Sequence, residues 1–165
     1  MPLDAIPSLR PCLSCSSSSG STATVSCVKP WPGRWGNYAE AGVVPDLLQA
    51  LRFDNASVRL WSAGSLVDAA LACQDQLEPV MDELLQVLQV DGEAAVRSNC
   101  AWGLGRLHPV LPAERQRQLE EGLLQALLHD CDSGVRQDAR SALEQLEDAE
   151  LLNRLQMLVE EGLIG

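Results

Sequence analysis

The chain has 165 residues, is 46% hydrophobic and 4% aromatic, and carries a formal charge of −11, a mixture that suits one helix-rich domain better than a sheet protein. The charge is uneven: residues 1–42 hold three basic and two acidic side chains, leaving nine arginines against 21 acids in residues 43–165. Such a body repels a phosphate backbone, no stretch reaches about 18 apolar residues, and no secretory leader pattern opens the chain, so nucleic acid and membrane are not expected partners and a cytoplasmic protein is.

Residues 1–39 come first and hold five of the nine prolines, the run Ser-Cys-Ser-Ser-Ser-Ser-Gly-Ser and the segment Lys-Pro-Trp-Pro-Gly-Arg-Trp-Gly. No helical or strand period runs through them, and this composition buries too little apolar surface to offset its ordering entropy. A flexible arm is expected, with Trp31, Trp35 or Tyr38 available to dock near its end. Cys12 and Cys15 form a CxxC followed by Cys27. A zinc site needs four ligands and none completes this set, and a Ser-rich arm lacks the strand-to-helix setting of a redox pair. These cysteines, with Cys73, Cys100 and Cys131, read as reduced thiols.

Residues 40–165 read as a repeat domain. Val-Arg recurs at 58–59, 96–97 and 135–136, and Leu-Leu-Gln-x-Leu at 47, 84 and 123 precedes it each time by 11 or 12 residues. Two words keeping one period near 40 residues point to stacked helix pairs. The units span about 43–72, 79–108 and 112–148, each a first helix carrying the leucine word and a second helix opening at Val-Arg. Pro45, Pro79 and Pro112 fall where first helices begin, and Asp54, Asp91 and Asp130 or Asp132 stand ahead of the second helices, placed to accept orphan amide hydrogens. A further Leu-Leu-x-x-Leu at 151–155 has no Val-Arg after it, so a capping helix is predicted over 149–162.

At about 100° per residue from each valine, one side of the second helices gathers Val58, Ser62, Leu66 and Ala69, then Val96, Cys100, Leu104 and His108, then Val135, Ala139, Leu143 and Leu146. This side is the expected core. The opposite side gathers Trp61, Gly64 and Asp68; Asn99, Trp102 and Arg106; and Asp138, Ser141 and Gln145. Two tryptophans among polar residues fit anchors for a partner protein, with Asp68, Asn99, Arg106, Asp138 and Gln145 as surround. The competing possibility is that a short first helix or the arm covers them. Arg59, Arg97 and Arg136 recur at a fixed place beside Asp54, Asp91 and Asp130, which favours a structural Arg-Asp ladder between stacked units over an anion site.

The unit Asp-(x)n-Val-Arg-x-x-Ala-Ala-x-Ala-Leu-Gly resembles a HEAT repeat, particularly the short HEAT-like type of phycobilisome lyases. Val-Arg-Ser-Asn-Cys-Ala-Trp-Gly-Leu-Gly at 96–105 matches nearly throughout; the third unit keeps Ala139, Ala142 and Leu143, and the first keeps Ala63 and Leu66. The resemblance spans roughly residues 43–150. It implies an all-α solenoid of about three helix pairs whose second helices line the concave side, placing the tryptophan stripe in the groove.

No catalytic residue is assigned. The two histidines, His108 and His129, lack the paired His-Glu words of HEAT-type iron hydroxylases, and the acidic body lacks the cationic surface of HEAT-like DNA glycosylases. Gly103 and Gly105 have no preceding strand to set them under a phosphate. The expected function is a scaffold or adaptor that binds a partner protein without chemistry, metal or cofactor. The alternative is a phycobilisome lyase-like factor, its Trp61, Trp102 and Arg106 handling a bilin chromophore. The shift in composition near residue 40 also suits a piece of a longer solenoid.

Overall fold

Leucines at the first, second and fifth places of Leu-Leu-Gln-x-Leu lie along one side of a helix, a stripe that must be buried against something. The computed structural model describes residues 43–164, and there each leucine word is helical and faces a second helix. The helices are α1 (Val44–Phe53), α2 (Ala56–Ala72), α3 (Leu77–Val90), α4 (Ala94–Leu107), α5 (Ala113–His129), α6 (Ser133–Gln145) and α7 (Ala149–Glu160). No strand occurs among the described residues, and no helix there is long and apolar enough to cross a membrane. The expected arm, with Trp31, Trp35, Tyr38 and the CxxC, lies outside the described residues.

Three hairpins, α1–α2, α3–α4 and α5–α6, stack in order into an all-α solenoid. Second helices meet one another as extensively as they meet their own hairpin partners, whereas first helices meet far less. The reason is side-chain size. An added Cβ on Gly105 of α4 would lie 3.2 Å from Ala142 Cβ of α6, and one on Gly103 would lie 2.7 Å from Val67 Cγ2 of α2. Small residues let the second helices approach closely, so the stack is tighter on their side and that side is the inner one. α7 follows in the place of another first helix: Leu151 and Leu155 are buried, and Arg154 reaches Glu121 of α5 at 3.3 Å.

A continuous apolar core runs the length of the stack, with Leu84, Leu88, Leu104, Leu107, Leu123 and Leu143 among its fully buried members. Ser62, Leu66, Ala69, Val96, Cys100, Val135 and Ala139 are buried as expected, while Leu146 is half-buried. Val58 is also half-buried, because α2 has no second helix ahead of it among the described residues. His108 leaves the core row: it opens a 3-10 turn, His108–Val110, and its Nε2 lies 2.8 Å from Glu120 Oε1.

Capping differs from expectation in detail. Asp54, Asp91 and Asp130 close the first helices instead of opening the second ones. Asn55 caps α2 by accepting from the Val58 N–H, and Asp132 caps α6 by accepting from Gly134 and Val135. Glu93 precedes α4 without a side-chain cap bond. Asp91 and Asp130 are withheld from capping by the contacts described next, while the Asp54 carboxylate accepts from Asn55 instead. At the far end, Gly162 takes a φ of 71°, and the N–H of Leu163 bonds back to Leu158 O, a turn that ends α7 and returns Ile164 to the core.

Candidate protein-interaction surface

The Val-Arg arginines join successive units. Arg59 donates from Nε and Nη2 to the two carboxylate oxygens of Asp91, at 2.7 and 2.9 Å, and from Nη1 to the carbonyl of Asp54 at 2.9 Å. Arg97 repeats the pattern one unit on: Nε and Nη2 reach Asp130 at 2.8 Å each, and Nη1 reaches Asp91 O at 2.8 Å. Each carboxylate therefore belongs to the following unit, and only the carbonyl belongs to the arginine's own. Arg136 keeps the carbonyl bonds, to Asp130 O at 2.8 Å and Cys131 O at 3.3 Å.

Two fork-to-fork ion pairs of this kind orient neighbouring hairpins as well as attracting them. Burial pushes the Asp130 carboxyl up, but the Arg97 guanidinium and the Asp132 N–H outweigh it and hold it below the usual carboxylate range. The Arg59 guanidinium is held above its ordinary value chiefly by its bonds to Asp91. Arg52 of α1 also pairs with Glu83 of α3, a buried carboxylate that the sequence reading missed. The only signal for it was an acid just ahead of the second leucine word, where the third has Gly122.

The stripe expected on the inner face resolves into two rows. In the middle row Trp102 is 50% exposed, and Arg106 lies over its ring with Cζ 4.8 Å from the centroid. Arg106 in turn donates to Asp68 of the preceding unit at 2.8 Å. Gly64 and Ser141 hold the equivalent place in the flanking second helices, so small residues stand at the matching positions on either side along the stack. Gln145 is exposed at the end of α6.

The other row faces between units. Asn99 donates from Nδ2 to Leu60 O at 2.7 Å, and Asp138 accepts from the Ser98 hydroxyl. Both reach back to the preceding second helix. Trp61 is their counterpart in α2 and stands 70% exposed at that end of the stack. Trp61 and Trp102 are thus not two steps of one ladder, because they sit three and six residues after the valines of their Val-Arg words. Asn99 is committed to packing.

Among the described residues no group of three or more His, Cys, Asp or Glu could hold a metal ion. Cys100 is buried, and burial pushes its thiol well above the ordinary value. A neutral, enclosed thiol packs as a small apolar group.

These features define a helical-repeat solenoid with an oriented aromatic on its inner side. Over 94 residues the chain is 30% identical to a Dictyostelium discoideum protein described as probable importin subunit alpha-A, the match covering 54% of this chain and 17% of that protein. The chain therefore corresponds to a minor part of that relative's length. Importin alpha is itself an armadillo/HEAT-type repeat protein. No protein-family profile and no solved structure matches the chain.

Proposed function

We propose that this chain is a non-catalytic protein-interaction scaffold whose inner face, centred on Trp102, receives a segment of a partner protein. The observation that carries the reading is the Trp102–Arg106–Asp68 arrangement. A half-exposed indole in the middle unit forgoes burial of its own, yet its ring is stacked by a guanidinium that pairs with a neighbouring unit. An aromatic held ready in this way loses little entropy on binding, which is how interface anchors gain affinity. Similarity to part of a protein named as an importin subunit supports a scaffold role.

The test compares the intact chain with Trp102→Ala in binding partners from native cell extract, with helicity measured in parallel. Loss of a partner with helicity retained supports the reading. Unchanged capture, or an unfolded variant, sets it aside. Mixing the protein with a free bilin separates the alternative: a pigment-bound absorbance band lost in Trp61→Ala/Trp102→Ala would favour a bilin-handling factor.

A further inference from the structure

Among the described residues the last arginine of the Arg-Asp ladder lacks the carboxylate of a following unit. In the first two units the guanidinium divides its work, Nη1 to the carbonyl of its own turn and the Nε–Nη2 edge to the next unit's aspartate. Arg136 keeps the first half of that arrangement, so its plane is set by the same bonds. Its Nε–Nη2 edge meets no carboxylate among the described residues. The cause lies in α7: Asp54, Asp91 and Asp130 each fall seven residues after the first leucine of their word, and at that place after Leu151 stands Leu158. α7 then runs on to Glu160 with no turn there to carry an acid.

The surface around this edge has changed character too. The positions held by Ala63 in α2 and Ala101 in α4 hold Arg140 in α6, and those held by Val67 and Gly105 hold Glu144. Arg140 and Glu144 pair at 2.8 Å across a face that in the earlier units is small and apolar. Between that face and the Leu163–Ile164 return lies an open cavity of about 600 Å³, to which Ser133, Arg136 and Gln137 contribute. A fourth helix of the ordinary apolar kind would have to bury the Arg140–Glu144 pair, at a large desolvation cost. A second copy stacked head to tail would need its α1 where α7 already lies. What remains is a polar segment bearing a carboxylate.

We propose that this face of α6 is a second interaction surface, independent of Trp102, that binds an acidic segment of a partner protein through fork-to-fork pairing of one Asp or Glu carboxylate with the Nε–Nη2 edge of Arg136. The chain itself supplies two worked examples of that contact, at Arg59 and Arg97, and they fix its geometry. The cationic edge stands out in a body whose charge is otherwise strongly acidic, so attraction of an acid there is local and depends on the fork.

The probe is a synthetic peptide with the sequence of residues 89–95, which presents Asp91 in its own turn, titrated into the nitrogen-labelled full chain. The arginine Nε–H resonances are read by NMR, with Arg59 and Arg97 as internal references for a paired fork. The Arg136 signal is expected to move towards theirs while they stay still. Arg136→Gln, or Asp91→Asn in the peptide, weakens binding by about tenfold, roughly the worth of one charge-assisted hydrogen bond. Both changes together weaken it no further. Arg136→Lys, which keeps charge without the fork, falls between. An Arg136 signal that stays put at millimolar peptide overturns the proposal, as does equal affinity for Arg136→Gln. Sedimentation showing self-association that Arg136→Gln abolishes would assign the edge to a second copy and overturn it as well.

Discussion

Replacing Arg97 by glutamine removes the cation from a pair whose side chains are 6% and 7% exposed. Breaking a buried ion pair from one side costs about 3–5 kcal/mol, because the remaining charge is left without compensation. Asp130 retains the N–H of Asp132 at 2.8 Å, so the lower end, about 3 kcal/mol, is expected. The Arg59–Asp91 pair is 20% and 8% exposed and water reaches it more easily, so Arg59→Gln should cost about 2 kcal/mol. At 37% and 53% exposure, Arg106–Asp68 is a surface pair worth below about 1 kcal/mol. Urea unfolding followed by far-ultraviolet circular dichroism ranks the three.

A pH dependence follows from the same pair. The folded Asp130 carboxyl lies below its ordinary range, so its contribution is complete above the unfolded value and is lost as pH falls through the folded one. The gap between wild type and Arg97→Gln should narrow as the solution is acidified from neutrality. Two results would refute the reasoning: Arg106→Gln costing as much as Arg97→Gln, or a gap that persists unchanged through the carboxylate range.

Three further outcomes are expected. Asp132→Ala should cost about 1 kcal/mol through the loss of the α6 cap, whereas Asp54→Ala, whose carboxylate accepts only from Asn55, should change urea stability little. Gly105→Leu should destabilise by about 1–3 kcal/mol or more, since its first carbon already crowds Ala142; Gly92→Ala, with open space around it, serves as the control in the same denaturation series. In site-resolved alkylation read by mass spectrometry, exposed Cys131 should react in the folded protein and Cys100 only on unfolding.

Helix pairing is legible in the sequence because burial and period agree. Leucines at helical spacing demand a partner, and two words repeating together say that the partner is always the next helix. The ladder is legible only by halves. Arg97 lies six residues after Asp91 in the chain, so sequence proximity suggests that pair, but stacking brings the Asp130 carboxylate to the fork and leaves Asp91 to offer its carbonyl. Capping is obscured for the same reason in the third unit, where Arg97 takes Asp130 and Asp132 is left to cap; in the first unit the neighbouring Asn55 caps in place of Asp54. Glu83 is hidden altogether, because an acid beside leucines on a helix reads as solvent-facing until Arg52 arrives from another unit.

A helical wheel separates core from surface, but it cannot say which part of the surface looks along the stack and which looks out of it. That distinction decides what the two tryptophans mean. Asn99 and Asp138 hold the place of Trp61 and spend their side chains on the preceding helix, so the exposure of Trp61 follows from its position where no preceding second helix is described. The same end effect explains Arg140 and Glu144, which would be forbidden in α4 and are permitted in α6. Trp102 has no such account. It belongs to the middle unit, with second helices packed on both sides, and a leucine-sized residue turned inwards there would have gained about 1.5–3 kcal/mol. An indole kept half in water, with a cation stacked on one face and small residues at the equivalent places either side, is therefore an aromatic of the middle unit whose placement stacking alone does not explain.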